Sequence, residues 1–181
     1  ETIEFKCDDV TSNQSNRKTK YYFNDVIIIQ NVLNIKSNTQ KLNVNENNLP
    51  NIKDNQTIEL NHIDGSKKKW YLKGIVLHYG DTINSGHYVA GVLYEKGWYL
   101  IDDTTVFGPY KTDDMEKNVN VKKGESFDKK IVGLFYDINE KKNEGIPKGL
   151  KNLGNTCFLN STMQALLALG DDFWNDYAKI Y

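Results

Sequence analysis

The chain has 181 residues, of which 39% are hydrophobic and 12% aromatic, and its formal net charge is −1 at pH 7. A chain of this length and composition can bury a sizeable core, so a folded globular protein is predicted. The balanced charge argues against nucleic acid or a membrane as the main partner, and the apolar runs are far shorter than the roughly 20 residues that span a bilayer. The chain begins at Glu1 without a signal-peptide pattern, which indicates a trimmed segment, and its two distant cysteines favour a reducing compartment, the cytoplasm or nucleus.

Short apolar runs alternate with polar stretches in the first third of the chain, as expected for strands joined by loops. Residues 21–35 contain the β-branched run Val26-Ile27-Ile28-Ile29, which predicts a buried strand. Residues 34–55 are dominated by Asn and Lys and predict an exposed loop. Residues 57–60 predict a short strand, and Asp64-Gly65 predicts a tight turn after it.

The middle of the chain predicts an antiparallel sheet. Residues 70–78 alternate between two faces, as a strand does, and the glycine-bounded stretch 80–86 predicts a loop. Strands are predicted at 87–94 and, after a turn at Gly97, at 98–103. The remaining segments before the last cysteine are a charged loop or frayed hairpin at 113–128, a closing strand at 131–136 and a polar linker at 139–148.

Cys157 lies at the predicted start of an amphipathic helix. Asn155 or Thr156 is placed to cap the first turn, Gly170 is placed to end the helix, and the predicted buried face consists of Leu159, Met163, Leu166 and Leu167. The first turn of a helix favours a thiolate, so Cys157 is a candidate nucleophile, although a lone cysteine is more often a small buried apolar residue. A second helix capped by Asp171 or Asp172 is predicted to carry an aromatic face over residues 173–181.

The stretch from Gly149 to Gln164, G-L-K-N-L-G-N-T-C-F-L-N-S-T-M-Q, closely resembles the cysteine box of the ubiquitin-specific proteases. These are papain-like cysteine peptidases that cut after the C-terminal glycine of ubiquitin. The resemblance implies that Cys157 is the nucleophile. It also implies that the side chain of Asn152 and the backbone N–H of Cys157 form the oxyanion hole, an arrangement that catalysis at a carbonyl requires.

A second resemblance covers Y-L-K-G-I-V-L-H-Y-G, G-H-Y-V-A and W-Y-L-I-D-D, which together are similar to the histidine box of the same family. It implies that His87 is the general base and that Asp102 orients it, with Asp103 as a possible secondary stabiliser of the oxyanion. If Tyr94 pairs with Trp98 across the turn, Asp102 falls opposite Ala90, and contact with His87 then requires a bulge or a strong twist. His78 is interpreted as a packing residue and His62 as a surface residue.

The order of the two boxes is the reverse of that in the family, and the segment that normally separates them is missing. The resemblance therefore implies a circularly permuted, α+β papain-like domain that lacks most of the thumb and fingers. Its antiparallel sheet, the palm, would occupy 1–138, the linker 139–148 and the cysteine helix, packed across the edge of the sheet, 149–181. The alternative is that 1–138 ends one protease domain and 149–181 begins another, so that each is completed by a further segment or chain.

These resemblances imply a cysteine isopeptidase that acts on ubiquitin or a ubiquitin-like modifier. The groove for the tail of the modifier would involve Gly80, Ser85, Gly86 and Tyr88, with the glycines allowing movement. A catalytically silent module that only binds a modifier is the alternative. No metal or other cofactor is expected, because Cys7 lacks the second cysteine of a zinc-binding pair, and a zinc hydrolase built on Cys157 and His87 lacks further ligands.

Overall fold

The described part of the chain is built around one seven-stranded sheet in which the paired strands are antiparallel. The computed structural model describes residues 21–30, 52–82, 85–119 and 127–178. Along the sheet the order is β1, β7, β3, β4, β5, β6, and β2 pairs with the first half of β3. The strands are β1 Val26–Gln30, β2 Thr57–Asn61, β3 Lys67–Thr82, β4 Ser85–Tyr94, β5 Gly97–Asp102, β6 Thr105–Tyr110 and β7 Ile131–Asp137.

Strand β3 is the centre of this arrangement because it pairs with β2, β4 and β7. The register shift between Leu72 and Gly74 in the pairing of β3 with β7 interrupts the alternation of side chains, so that Leu72 and Ile75 lie in the same larger core while Val76 lies in a second cluster beneath a helix. Strand β7 is buried along its whole length, as expected for a strand enclosed between two neighbours and covered on both faces.

The predicted strands at 57–60, 70–78, 87–94 and 131–136 are confirmed, and so is the turn at Asp64-Gly65. The strand predicted at 98–103 is confirmed up to Asp102, since Asp103 already belongs to the following turn. The prediction of a buried strand at 26–29 is wrong in its burial. Residues Val26–Gln30 do form a strand, but it lies at the edge of the sheet, and Ile28 and Ile29 are 53% and 40% exposed. A β-branched run favours a strand but does not determine whether that strand is central.

Three further segments differ from the sequence predictions. The stretch 80–86 was expected to be a loop, but β3 continues to Thr82 and β4 starts at Ser85, so most of it belongs to a hairpin. Helix α1 (Thr112–Asn118) replaces part of the predicted charged loop, because Met115 packs into the core while the charged side chains lie outside. Strand β6 was not predicted at all.

Helix α2 (Cys157–Leu167) packs on the face of the sheet and not across its edge as predicted. Its buried residues are Ser161, Gln164 and Ala165, whereas Leu159 and Leu167 are 49% and 41% exposed. The helical period was therefore predicted correctly, but of the predicted face only Leu166 packs against the core, while Met163 is half-buried. The reason is close approach: a Cβ on Gly74 of β3 would lie only 3.0 Å from Ala165 Cα, so small residues of the helix must face the sheet.

The C-terminal helix packs on the same face of the sheet as α2. Gly170 has a φ of 90° and follows the end of α2, as predicted, and α3 (Asp171–Ala178) begins immediately after it. Phe173 of α3 packs against the cluster of Val132, Phe135 and Leu169, so this aromatic residue turns toward the sheet. Residues 179–181 of the predicted aromatic face, and Cys7, lie outside the described residues. No helix among the described residues is long and apolar enough to cross a membrane.

Candidate active site

His87 and Asp102 form one half of the site, at the ends of two neighbouring strands. The Nε2 atom of His87 lies 2.6 Å from Asp102 Oδ1, and both side chains are partly exposed, at 40% and 44%. This contact leaves Nδ1 of the imidazole ring for another partner. Burial and the charge of Asp102 raise the pKa of Tyr79, the cross-strand neighbour of His87, to about 12, so its hydroxyl stays protonated.

The contact between His87 and Asp102 forms without the bulge that a Tyr94–Trp98 pairing would have required. The turn after β4 contains two residues, because Tyr94 pairs with Gly97 and Ala90 pairs with Ile101. This register differs by one residue from the Tyr94–Trp98 pairing. If it is continued by one residue, Asp102 lies opposite Val89. Val89 is two residues from His87 in the same strand, so the side chains of Asp102 and His87 lie on the same face of the sheet. Such diagonal neighbours are within reach of each other in an antiparallel pair.

The hairpin that carries His87 is held tightly by its glycines. A Cβ on Gly80 would lie 2.3 Å from the carbonyl oxygen of Ser85, and one on Gly86 would lie 2.3 Å from His78 Nε2. Gly86 also has a φ of 151°, which L side chains rarely adopt. The two glycines therefore permit close packing of two backbones over His78, whereas the sequence had suggested that they permit movement. His78 is 4% exposed, which agrees with its interpretation as a packing residue.

Cys157 is half-buried in the first turn of α2. Thr156 occupies the N-cap position, but its side chain makes no capping hydrogen bond to the helix, contrary to expectation. Its hydroxyl instead accepts from Leu153 N–H at 3.0 Å and lies 3.2 Å from Asn152 Oδ1. The backbone N–H groups at the start of α2, beside the thiol, therefore receive no hydrogen bond from the side chain at the N-cap position.

The amide of Asn152 is fixed in orientation by hydrogen bonds at both of its ends. Its Oδ1 accepts from the backbone N–H groups of Gly154 and Thr156 at 3.0 and 3.3 Å. Its Nδ2 donates to Asp103 Oδ2 at 2.9 Å. Because an amide nitrogen carries two hydrogens, the second N–H remains for a further acceptor. A fixed donor of this kind is what an oxyanion hole requires.

Asp103 joins the cysteine segment to the histidine strands. It starts the two-residue turn between β5 and β6, has a φ of 49°, and accepts from Asn152 through one carboxylate oxygen and from Asn160 Nδ2 through the other, at 2.8 Å. Its backbone oxygen accepts from Leu150 N–H at 2.8 Å. The two segments approach so closely here that a Cβ on Gly149 would lie 2.5 Å from Asp103 O. Sequence reasoning identified Asp103 but missed Asn160, whose signal was its position one helical turn after Cys157.

Aromatic rings make a second connection between the two halves. Tyr88 follows His87 and Phe158 follows Cys157, and their ring centroids lie 6.5 Å apart in an edge-to-face arrangement, so the first turn of α2 lies beside the histidine strand. Tyr88 also packs against His78, with the centroids 4.5 Å apart and the ring planes tilted by 38°. Burial and the neighbouring Cys157 raise the pKa of Tyr88. The structure contains no hydrogen bond between the sulfur of Cys157 and the ring of His87.

A metal ion is a poor fit for this site. Side-chain atoms of His87, Asp102 and Asp103 do lie within 4.8 Å of one another, the spacing of a ligand cluster. However, Asp102 already contacts the imidazole, and both carboxylate oxygens of Asp103 accept from amides. A metal would have to displace this network. The cluster is better described as the support of an imidazole and an amide donor than as a ligand set.

Comparisons with known proteins agree on one family. A family model described as ubiquitin carboxyl-terminal hydrolase matches residues 4–126 and 148–179, which is most of the chain and includes all four predicted catalytic residues. Over 67 residues the chain is 34% identical to the "Probable ubiquitin carboxyl-terminal hydrolase 8" of Schizosaccharomyces pombe. That alignment covers 37% of this chain and 12% of the length of the relative. The chain belongs to the ubiquitin carboxyl-terminal hydrolase family.

Proposed function

We propose that this chain is a thiol-dependent, deubiquitinase-like isopeptidase of papain-like fold. It would hydrolyse the bond after the C-terminal glycine of ubiquitin or of a ubiquitin-like modifier. Cys157 serves as the nucleophile, His87 as the general base, Asp102 as its orienting carboxylate and Asn152 as an oxyanion donor. The observation that carries the proposal is the 2.6 Å contact between His87 Nε2 and Asp102, which leaves the other ring nitrogen for a thiol.

In this mechanism the Nδ1 atom of His87 takes the proton of the Cys157 thiol. The sulfur then adds to the carbonyl carbon of the terminal glycine, and the oxygen that becomes negative accepts hydrogen bonds from Asn152 Nδ2 and from the Cys157 backbone N–H. Collapse of this intermediate breaks the carbon–nitrogen bond, and the imidazolium returns the proton to the leaving amine. Water, deprotonated by His87, then hydrolyses the thioester and releases the modifier.

The tail of the modifier would lie along the hairpin next to His87. Ser85 and Gly86 are exposed at the end of this hairpin, where an extended peptide could approach the backbone. Tyr88, half-buried between His78 and Phe158, would border the reacting carbonyl. An extended tail can pair with backbone groups at such a site, which favours recognition of the tail over recognition of the globular body of the modifier.

The proposal places both halves of the site in one chain, as a circularly permuted arrangement of the family's two boxes. It is supported by the hydrogen bonds from Asn152 and Asn160 to Asp103, which join residues 49 and 57 positions apart within the chain. One observation favours the alternative of a partial domain completed by a further segment. Leu153, Phe158 and Leu159, all near the nucleophile, are 77%, 55% and 49% exposed.

The decisive experiment is reaction of the purified chain with ubiquitin and a panel of ubiquitin-like modifiers, each carrying a C-terminal electrophile. A covalent adduct with at least one modifier is expected for the parent, and none for Cys157→Ser. Non-covalent binding without an adduct would instead identify a catalytically silent binding module. Adduct formation that requires an added segment of the family domain would support the partial-domain alternative.

The same preparation tests how the substrate is held. If the tail dominates recognition, a fusion of the full-length modifier and a short peptide that copies only its tail are cleaved at comparable kcat/KM. Cleavage of the fusion several orders of magnitude faster would show that the globular body is held strongly, and would contradict recognition through the tail.

A further inference from the structure

We propose that Asn160 is a positioning residue that acts through Asp103 to hold Asn152 and Cys157 in register with His87. The inference rests on the proposed function, since it concerns the geometry of the same site. Asn160 does not touch the reacting atoms in this proposal. It determines where two groups that do so are placed.

The first step is the place of Asn160 in the fold. It follows Cys157 by three residues in α2, so its side chain and the nucleophile share one turn of the same rigid helix. Its Nδ2 donates to Asp103 Oδ1 at 2.8 Å and lies 3.4 Å from the carbonyl oxygens of Leu150 and Lys151. One amide group therefore connects the helix, the extended segment before it and the turn that follows Asp102.

The second step concerns Asp103. Its carboxylate is shared between two amides, Asn160 on one oxygen and Asn152 on the other. Its backbone is in the left-handed region, with a φ of 49°, and the surrounding contacts must hold it there. Without the bond from Asn160 the carboxylate is free to rotate, and Asn152 Nδ2 loses the fixed acceptor that orients it.

The third step separates positioning from stability. Helix α2 is attached to the rest of the protein at other points, since Gln164 Nε2 donates to Lys148 O at 2.6 Å and Ala165 packs against Gly74. Leu169, just beyond the helix, lies in the cluster with Val76 and Phe135. These contacts involve the C-terminal half of the helix. In the half that carries Cys157, Asn160 supplies the hydrogen bond to Asp103, beside the ring contact between Phe158 and Tyr88.

The fourth step is the requirement for an amide. The three atoms around Asn160 Nδ2 are all oxygens that can only accept, namely one carboxylate oxygen and two carbonyl oxygens. Asn160→Asp keeps the shape but places a carboxylate against these acceptors. The pair of carboxyl groups can then form a hydrogen bond only when it shares a proton, so the defect should be relieved as the pH falls.

The experiment compares the parent chain, Asn160→Asp, Asn160→Ala and the control Asn155→Asp. The control introduces the same charge two residues before Cys157 at an exposed side chain outside the network. Turnover of a ubiquitin C-terminal amide is measured from pH 5.5 to 8.5. Alkylation of Cys157 by iodoacetamide is followed over the same range, at the level of the peptide so that Cys7 is counted separately. Thermal melts report the folded fraction.

For Asn160→Asp we expect kcat to fall about 10- to 100-fold at pH 7.5 with little change in KM, as for a misplacement on the order of 1 Å. The ratio of its kcat to that of the parent should rise as the pH falls. Asn160→Ala should lose activity without this recovery, and Asn155→Asp should stay within about twofold of the parent. The alkylation profile of Asn160→Asp should also move away from that of the parent.

The inference is overturned if Asn160→Asp and Asn155→Asp have the same kcat and alkylation profiles. It is also overturned if the activity lost in both Asn160 variants equals the unfolded fraction. If the proposed function itself is wrong, the result is different, because the parent chain then forms no adduct and cleaves no modifier. In that case an altered alkylation profile in Asn160→Asp alone would still support positioning of Cys157, and an unaltered one would refute it.

Discussion

The two halves of the proposed site are held in place in different ways. His87 and Asp102 lie on adjacent strands of a seven-stranded sheet, and the register of β4 and β5 brings them to a separation of 2.6 Å. Cys157 and Asn152 lie on a helix and in the segment before it, and they are connected to the histidine half through the two carboxylate oxygens of Asp103 and through the ring contact between Phe158 and Tyr88. The proposed base is thus positioned by the backbone pairing of two strands, and the proposed nucleophile mainly by side-chain contacts.

This difference predicts where each half is sensitive. A sheet register changes only in steps of a residue, so the histidine half is either intact or lost. A helix that rests on small side chains and a shared carboxylate can shift by fractions of an ångström. Substitutions near the cysteine half should therefore give graded losses of activity, whereas the His87–Asp102 contact should survive most changes made elsewhere in the chain.

The largest effect is expected from Cys157→Ala. The substitution removes the nucleophile and leaves the helix, the amide network and the sheet in place, so turnover should be abolished while the melting temperature and some affinity for the modifier are retained. Burst kinetics with an activated ubiquitin substrate and a thermal melt provide the measurements. Substantial turnover in this variant would contradict the assignment of the nucleophile.

His87→Ala should be nearly as damaging, with kcat reduced roughly 10²- to 10⁴-fold, the usual range for loss of a general base. Because the two residues act as one unit, the double variant Cys157→Ala/His87→Ala should be little worse than either single variant. His62→Ala is the control that removes another histidine, one that interacts with Asp25 and Asp64 away from the site. The interpretation of His62 as a surface residue is wrong, because it is only 8% exposed, so a thermal melt of this control accompanies its activity. Losses that add in the double variant would indicate that the two side chains do not work together.

Asn152→Ala should lower kcat by about 10²- to 10³-fold, the range found when one oxyanion donor is removed. KM should change little, because the amide is expected to donate to an oxygen that gains charge only in the transition state. Asn139→Ala is a control that removes another asparagine, one whose amide donates to Asp172 far along the chain from Cys157. A rise in KM at constant kcat would point to substrate binding instead.

Gly74→Ala tests the close contact between strand β3 and helix α2, the helix that carries Cys157. The added Cβ would lie 3.0 to 3.1 Å from backbone and side-chain atoms of Ala165, so helix α2 must move away from the sheet. Overpacking of this kind costs roughly 1–3 kcal/mol of the free energy of unfolding, and activity should fall with it. In Gly133→Ala the nearest atom is a ring carbon of Phe135 at 3.2 Å, which can yield, so a smaller loss is expected. If urea unfolding shows the same loss of stability in Gly74→Ala and Gly133→Ala, close packing of α2 on Gly74 is not the cause of the destabilisation.

The same contrast explains how much the sequence could predict. The strands of the histidine half were found from alternation and glycine turns, which are local signals. The buried face of α2 was assigned to leucines, but the sheet admits only small residues there because Gly74 and Ala165 are in contact. That contact joins residues far apart in the chain. The role of Asp103 as a shared acceptor for two asparagines likewise depends on packing that no local pattern contains.

The smallest expected effect concerns His78, which supports the hairpin of the histidine half. Burial and the charge of Lys130 lower the pKa of His78 below its ordinary value of 6.5. As the pH falls below about 6.5 the unfolded chain takes up a proton that the folded protein rejects, so the free energy of unfolding decreases until the folded pKa is reached. The free energy of unfolding cannot change by more than about 1.4 kcal/mol per pH unit through the titration of one group.

His78→Phe removes this titration, so the urea midpoint of the variant should decline less than that of the parent between pH 7 and pH 5.5. The change with pH is measured separately for each protein, so a loss of stability that the phenylalanine causes at pH 7 does not enter the comparison. An equal decline in both proteins would show that His78 does not contribute to the acid sensitivity of the fold.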